Sequence, residues 1–278
     1  MQDKRGILLI ATGHPYYARM AYNLLTSIRL HEPELAVAIA VNGEGFDLLE
    51  EAQKQMFSKV ITIDNYEDPY RAKLDLDLFT PFEQTLFLDV DMVWNNFRSP
   101  LELLDELSGI DFAIINRTRV NTSQSILSAW IDLPAVKEVY GYDEVYDISS
   151  EVIYFEKGTK IFEVARAYYQ DMKVTVKSFG KGFPDEAYLM MAIEHLKIKL
   201  HQSPWEPTYW QPRWNPKVHN EKHIAGFYAL SVGGAYTLPF IKKLYDRQVN
   251  HSFYSTGMPG RPFQLIPKYR IFKERRKI

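Results

Sequence analysis

The chain contains no cysteine, which excludes disulfides, thiolate metal sites and a cysteine nucleophile, and agrees with a reducing compartment. Metal chemistry must then rest on Asp, Glu or His. Long apolar runs are missing too: residues 7–11 and 35–41 are strand-sized, too short for a signal-peptide core or a membrane span. A charge excess is also absent. Lys plus Arg number 33 against 35 Asp plus Glu, and a formal net charge of -2 offers no global positive field to a polyanion. No internal repeat, low-complexity stretch or Pro/Gly/Ser-rich linker divides the chain. What is present, 278 residues at 46% hydrophobic composition, can bury a large core. A cytoplasmic protein is expected, so the Asn-x-Ser/Thr patterns at Asn116, Asn121 and Asn250 read as fortuitous.

Short β-rich runs at residues 6–12, 36–41 and 59–64 alternate with segments of helical period at 18–30 and 46–57. That order predicts an α/β sheet with parallel strands. Residues 85–90, 111–116 and 151–155 add apolar strands without polar alternation, as expected for strands covered on both faces. Further helices are predicted at 101–107, where Ser99 supplies a cap and Pro100 a first-turn proline, at 161–172 and at 185–196. A turn-rich, aromatic-rich stretch follows at 203–216. The domain organisation read from this is one domain over residues 1–240 and an irregular C-terminal extension over 241–278.

The chemistry concentrates at residues 85–94, TLFLDVDMVW, where a buried strand ends in Asp89 and Asp91. Ligands of open α/β sheets gather at the carboxyl ends of the strands. Two hard carboxylate ligands beside an open coordination sphere suit Mg²⁺ or Mn²⁺, whose shell water and diphosphate oxygens would complete. Such an ion would neutralise a nucleoside-diphosphate leaving group.

Residues 73–91, KLDLDLFTPFEQTLFLDVD, resemble the stretch of glycogenin-like, family 8 GT-A glycosyltransferases in which a helix with a basic residue leads into a strand ending Asp-x-Asp. The resemblance implies the Rossmann-like GT-A fold, a mixed, mostly parallel sheet flanked by helices. It also implies a nucleoside site at Ala11, Thr12 and Gly13 with Tyr16, and donor contacts from Lys73 or Arg71. Physically, Gly13 permits close backbone approach, and a cation before a diphosphate site is electrostatically sensible. Residues 148–155, ISSEVIYF, resemble the strand beside the transferred sugar, with Ser150 in the motif and Glu151 where the family has glycine. Phe183-Pro184-Asp185-Glu186 resembles the family's Asp-Gln helix start. His223-Ile224-Ala225-Gly226 resembles its His-x-x-Gly, in which the histidine is a third metal ligand; His219 competes for that role. Two carboxylates with one imidazole would favour Mn²⁺ over Mg²⁺.

The resemblance therefore implies a metal-dependent transferase that moves a hexose from a nucleotide-diphosphate sugar, a UDP-sugar by the same resemblance, to an acceptor hydroxyl. Retention of configuration is expected, with Asp185 or Glu186 stabilising positive charge at the anomeric carbon. For inversion, one of the two would be the general base. A non-catalytic nucleotide-sugar or glycan-binding module is the alternative from another class. A nucleotidyltransferase is a further alternative, disfavoured by the lack of a Gly-rich phosphate loop followed by lysine.

Three of the five tryptophans, Trp205, Trp210 and Trp214, fall in the proline-spaced segment PWEPTYWQPRW. Prolines at that spacing exclude a regular helix or a central strand, and flat rings on a loop can stack on a sugar. An acceptor-side wall is expected there. The C-terminal residues Lys268, Arg270, Lys273, Arg275, Arg276 and Lys277 face only Glu274 as counter-charge. Such an end can dock an anionic surface, which keeps a DNA glycosyltransferase acting on hydroxymethylated bases in view beside glycan and protein acceptors.

Overall fold

The computed structural model describes residues 4–13, 16–29, 31–64, 66, 68–94, 99–123, 130–178, 182–200, 208–210 and 228–231. The extension assigned to residues 241–278, its basic end included, lies outside them. Strand β1 (Arg5–Ala11) is apolar on both faces because both are covered: Ile7, Leu9 and Ala11 join one core and Leu8 the other. Its neighbours are β2 (Val37–Val41) and β4 (Gln84–Leu88), both parallel to it, and β3 (Lys59–Thr62) lies parallel beyond β2. On the other side of β4 run two long antiparallel strands, β7 (Glu144–Glu156) and β6 (Phe112–Asn121), giving the order β3-β2-β1-β4-β7-β6.

Helix α1 (Tyr16–Arg29) buries Ala18, Ala21, Leu24, Leu25 and Ile28 in the first core. A small second sheet lies on the same side: β5 (Met92–Trp94) pairs antiparallel with β9 (Ala229–Ser231), which pairs parallel with β8 (Thr208–Trp210). The Ser27 hydroxyl accepts the Trp94 amide at 2.9 Å and ties β5 to α1. Helices α7 (Ile161–Asp171) and α8 (Asp185–Leu196) cover the second core, with α6 (Leu133–Tyr140). Helix α5 (Pro100–Leu107) starts as its sequence predicts, with Ser99 accepting from the Leu101 amide at 3.0 Å and Glu102 reaching back to Ser99.

The helix expected over residues 46–57 is instead two single turns, α2 (Gly43–Phe46) and α3 (Glu51–Lys54). Leu49 and Phe57 are buried while Leu48 is 61% exposed, so the apolar residues do not share a helical face. Gln53 accepts from the Glu50 amide at 3.0 Å and starts a fresh turn there. A 3₁₀ helix over Pro69–Asp75 leads into the short α4 (Leu76–Phe79), and Asp68 caps it by accepting from the Tyr70 amide at 3.0 Å. Among the described residues no helix is long and apolar enough to cross a membrane.

Candidate active site

The chain winds outward from β1 to β3 and then returns to β4 on the opposite flank of β1. This reversal leaves a crevice at the carboxyl ends of β1 and β4, where open α/β sheets bind ligands. A cavity of about 220 Å³ opens there, lined by Thr12, Tyr17, Tyr70, Lys73, Asp89 and Asp91 among others. Gly13, just past β1, has φ +84°, the left-handed conformation that glycine adopts without strain. Ala11, at the end of β1, is buried and lies outside the lining. Tyr16 opens α1, but its side chain lies outside the described residues; Tyr17, the next residue, lines the cavity.

Asp89 follows the last residue of β4, where its amide donates to the Glu151 carbonyl at 2.9 Å and so extends the β4–β7 pairing by one step. The Lys73 ammonium, from the 3₁₀ helix, lies 2.8 Å from Asp89 Oδ1 and 2.9 Å from Oδ2. It also donates to Ser150 Oγ at 3.2 Å. Ser150 is buried on β7, close to where β6 shifts register between Ile114 and Ile115; bulges of this kind re-aim side chains beside sites. The Ser150 amide in turn donates to Glu186 Oε1 at 3.3 Å, and the Trp130 indole N–H donates to Glu186 Oε2 at 3.0 Å. One polar chain therefore runs from Asp89 through Lys73 and Ser150 to Glu186 and Trp130.

Asp185 and Glu186 form the first turn of α8, where the helix dipole favours negative charge. Asp185 is 3% exposed, and its Oδ2 is buried without a hydrogen-bond partner. A buried orphan acceptor is costly and is relieved by a donor such as a ligand hydroxyl. Arg71, the other cation considered for the donor, is engaged elsewhere: it pairs with Asp75 at 2.8 Å and lies 5.3 Å over the Tyr169 ring.

Among the described residues, carboxylates crowd around the Lys73 ammonium. Burial alone would lower the Lys73 pKa, but the fields of Asp89 and Asp185, the hydrogen bond to Asp89 and the field of Glu186 together raise it. Burial pushes Asp89 well above its ordinary range, with Lys73 opposing and Asp91 adding to the rise. Asp91 is pushed up to about 6 by burial and then by Glu151. Glu186 is pushed up to about 7 by burial and by Asp185, against Lys73 and the two hydrogen bonds it accepts. Hard oxygen donors with this surplus of negative charge are the set that Mg²⁺ or Mn²⁺ seeks. Among the described residues no three His, Asp or Glu side chains converge to hold a metal, so Asp89 and Asp91 would need further oxygens or a histidine.

His219, His223, Trp205 and Trp214 lie outside the described residues. Trp210 is described in backbone only, at the end of edge strand β8, in keeping with a segment that cannot form a central strand. Sequence reasoning missed Tyr17, Tyr70 and Trp130. Tyr17 follows the marked turn by one helical position, whereas Trp130 carries no local signal.

No protein-family model matches the chain, and no curated protein matches its sequence. Solved structures do. The apo WbbM bifunctional glycosyltransferase aligns with a TM-score of 0.54 at 13% identity, over 84% of this chain and 46% of that one. The galactosyltransferase LgtC, in complex with donor and acceptor sugar analogs, aligns with a TM-score of 0.51 at 13% identity, over 87% of this chain and 95% of that one. The chain thus spans under half the length of WbbM and nearly all of LgtC, and at these identities the likeness concerns the fold. With its mixed α/β sheet, its order of strands and its crevice at the switch point, this chain has the fold of the GT-A glycosyltransferases.

Proposed function

We propose that the chain is a metal-dependent glycosyltransferase of the glycogenin-like kind, moving a hexosyl group from a UDP-sugar to a hydroxyl of a glycan or protein acceptor, with retention. The polar chain Asp89–Lys73–Ser150–Glu186 at the switch-point crevice carries this reading, because it joins the end suited to a metal to a carboxylate pair suited to a cationic transition state.

Asp89 and Asp91 would hold Mn²⁺ or Mg²⁺, with His223 or His219 as the protein's remaining ligand. When bound, the ion supplies neutralisation of the charge gathering on the diphosphate. Thr12, Gly13 and Tyr17, with Tyr16, receive the nucleoside. Lys73 holds Asp89 in place and adds positive charge beside the phosphates. The bond from the anomeric carbon to the β-phosphate oxygen breaks and UDP leaves with the electron pair. The acceptor oxygen bonds to the same carbon, and its proton passes to that phosphate oxygen. Asp185 and Glu186 stabilise positive charge at the anomeric carbon while this happens. Were the product inverted, Glu186, with its pKa near 7, would be the better general base of the two.

Incubation with a panel of nucleotide sugars and Mn²⁺, followed by assay of released UDP, tests the activity. Absence of turnover and of donor binding would leave a non-catalytic module as the better account. Proton NMR of early product tests the stereochemistry: a β-linked product from an α-linked donor would sink the retaining assignment.

A further inference from the structure

The 3₁₀ helix that carries Lys73 runs for seven residues, longer than the roughly three or four at which such a helix usually stops. Its hydrogen-bond geometry gives a run of that length little stability of its own, so its shape has to be imposed from outside. Helix α7 does so from one face, where Arg166 and Tyr169, three positions apart, are neighbours. At the start of the 3₁₀ run, the Tyr169 hydroxyl donates to Asp68 Oδ2 at 3.0 Å while Asp68 Oδ1 accepts from the Tyr70 amide. Arg71 lies over the ring of the same tyrosine. At its end, Arg166 donates to the Leu74 carbonyl at 2.8 Å, to the two carboxylate oxygens of Asp77 at 2.6 and 3.0 Å, and to Asp75 Oδ1 at 3.5 Å.

The bond to Leu74 links this clamp to the chemistry. A guanidinium that held carboxylates alone would tie side chain to side chain; this one also fixes the main chain, at the residue that follows Lys73. A lysine stem is flexible, so its ammonium is placed by where the backbone starts it and by what it meets. Here it meets both oxygens of Asp89 at 2.8 and 2.9 Å and Ser150 Oγ at 3.2 Å, and it lies 5.6 Å from the centroid of the Phe87 ring. Stability is a weak account of the cluster around Arg166. Arg71 and Arg166 balance Asp75 and Asp77 in a largely buried group, to which the Tyr66 hydroxyl adds a bond to Asp75 at 2.9 Å. Balanced buried ions of this kind are often no more stabilising than apolar packing of the same volume, and their best-attested use is to fix a register.

We propose that Arg166 is a positioning residue of the transfer site: by fixing the chain at Leu74, Asp75 and Asp77 it holds the Lys73 ammonium on Asp89. The consequence for catalysis rests on the glycosyl-transfer reading, whereas the placement of Lys73 rests on geometry alone.

The test uses the full chain labelled with ¹³C-lysine. The ε-methylene of Lys73, next to the ammonium held beside the Phe87 ring, reports its own position through the ring current, and its resonance is assigned from K73R. R166K keeps a positive charge before Asp75 and Asp77 but lacks the planar fork; R166Q takes its place if it fails to fold. The control is I161V, a loss of buried volume on the same helix, five positions before Arg166 and so on another face of α7. In R166K the two ε protons of Lys73 should lose their separate ring-current shifts and converge, while in I161V they keep the native positions. An unchanged Lys73 resonance in the folded Arg166 variant overturns the proposal, and so does an equal change in I161V, which would mean general loosening. In turnover, R166K should lower kcat about 10²-fold with acceptor KM unchanged, as small displacements of a reacting group do. A displaced Lys73 with native kcat overturns the role in transfer. A native chain that binds no UDP strikes instead at the transfer reading itself, and the Lys73 resonance then still decides whether Arg166 places the ammonium.

Discussion

The ammonium of Lys73 straddles both carboxylate oxygens of Asp89, at 2.8 and 2.9 Å, across 16 positions of sequence. The pair couples the 3₁₀ helix to the tip of β4 and gives the first carboxylate of the Asp-x-Asp motif a cationic partner. Removing one partner of such a largely buried pair leaves the other uncompensated. Lys73→Met should destabilise the fold by about 3 kcal/mol, and adding Asp89→Asn should restore much of that loss. Urea denaturation of the single and double variants measures the coupling; simple additivity would mean that the two groups do not hold each other.

Asp89→Asn and Asp91→Asn should each lower turnover by a factor of about 10³ or more if the proposed metal sits on their carboxylates. The effect of Asp91→Asn on stability should be opposite in sign to that of Lys73→Met, whereas Asp89→Asn alone leaves the Lys73 ammonium uncompensated and should destabilise. Burial and Glu151 push the Asp91 pKa up to about 6, so its charged form strains the folded state at neutral pH. Asp91→Asn removes that strain and should raise Tm by about 2–4 °C per kcal/mol relieved. EDTA should stop turnover of the native chain and added Mn²⁺ should restore it; activity that survives EDTA would contradict the metal assignment.

Glu186 sets a pH dependence whose sign follows from linkage. Its pKa in the folded chain, about 7, stands above the ordinary 4.5, so the folded state binds the proton more tightly than the unfolded state does. Its contribution to stability is full below pH 4.5 and is lost as pH rises through about 7. Thermal melts should therefore decline across that window, and Glu186→Gln should flatten the decline. Activity should run the other way, rising as the carboxylate ionises, with an acidic limb near pH 7 that the variant lacks.

Gly182 has no room for a side chain. A Cβ there would strike the Asp68 carboxylate and come within 2.7 Å of the Tyr70 ring. Asp68 accepts from the Tyr70 amide at 3.0 Å, the Tyr169 hydroxyl at 3.0 Å and the Phe183 amide at 3.1 Å, which ties the 3₁₀ helix, α7 and the entry to α8 together. Gly182→Ala should cost about 1–3 kcal/mol. It should also displace Asp185 and Glu186, so that kcat falls more than donor binding. Full activity with native stability would show that this junction gives freely.

Much of the α/β frame is legible because its causes are local. Apolar runs at β1, β2 and β4 declare strands covered on both faces, Ser99-Pro100 with Glu102 writes its own helix start, and Asp89 and Asp91 stand at the end of a strand whose extent the pattern marks. Local pattern fails at residues 46–57, where the apolar count suits a helix but burial splits Leu48 from Leu49 and Phe57. The alternation of strand and helix predicts the parallel pairing of β1 to β4 but not the direction of β7, which runs antiparallel to β4 and pairs with β6 in a long ribbon.

The sequence by itself determined the fold class, the strand that ends in two carboxylates and the nearby cation, since each depends on residue type and period within a few turns of chain. Tertiary structure alone decided which cation serves Asp89, for Lys73 and Arg71 are two positions apart and the fold sets different partners before them: Asp89 and Ser150 for one, Asp75 and Tyr169 for the other. It also decided that Trp130 meets Glu186 across 56 positions. No periodicity reaches that far; contacts between distant segments arise from the packing of whole elements, and only the folded chain records them.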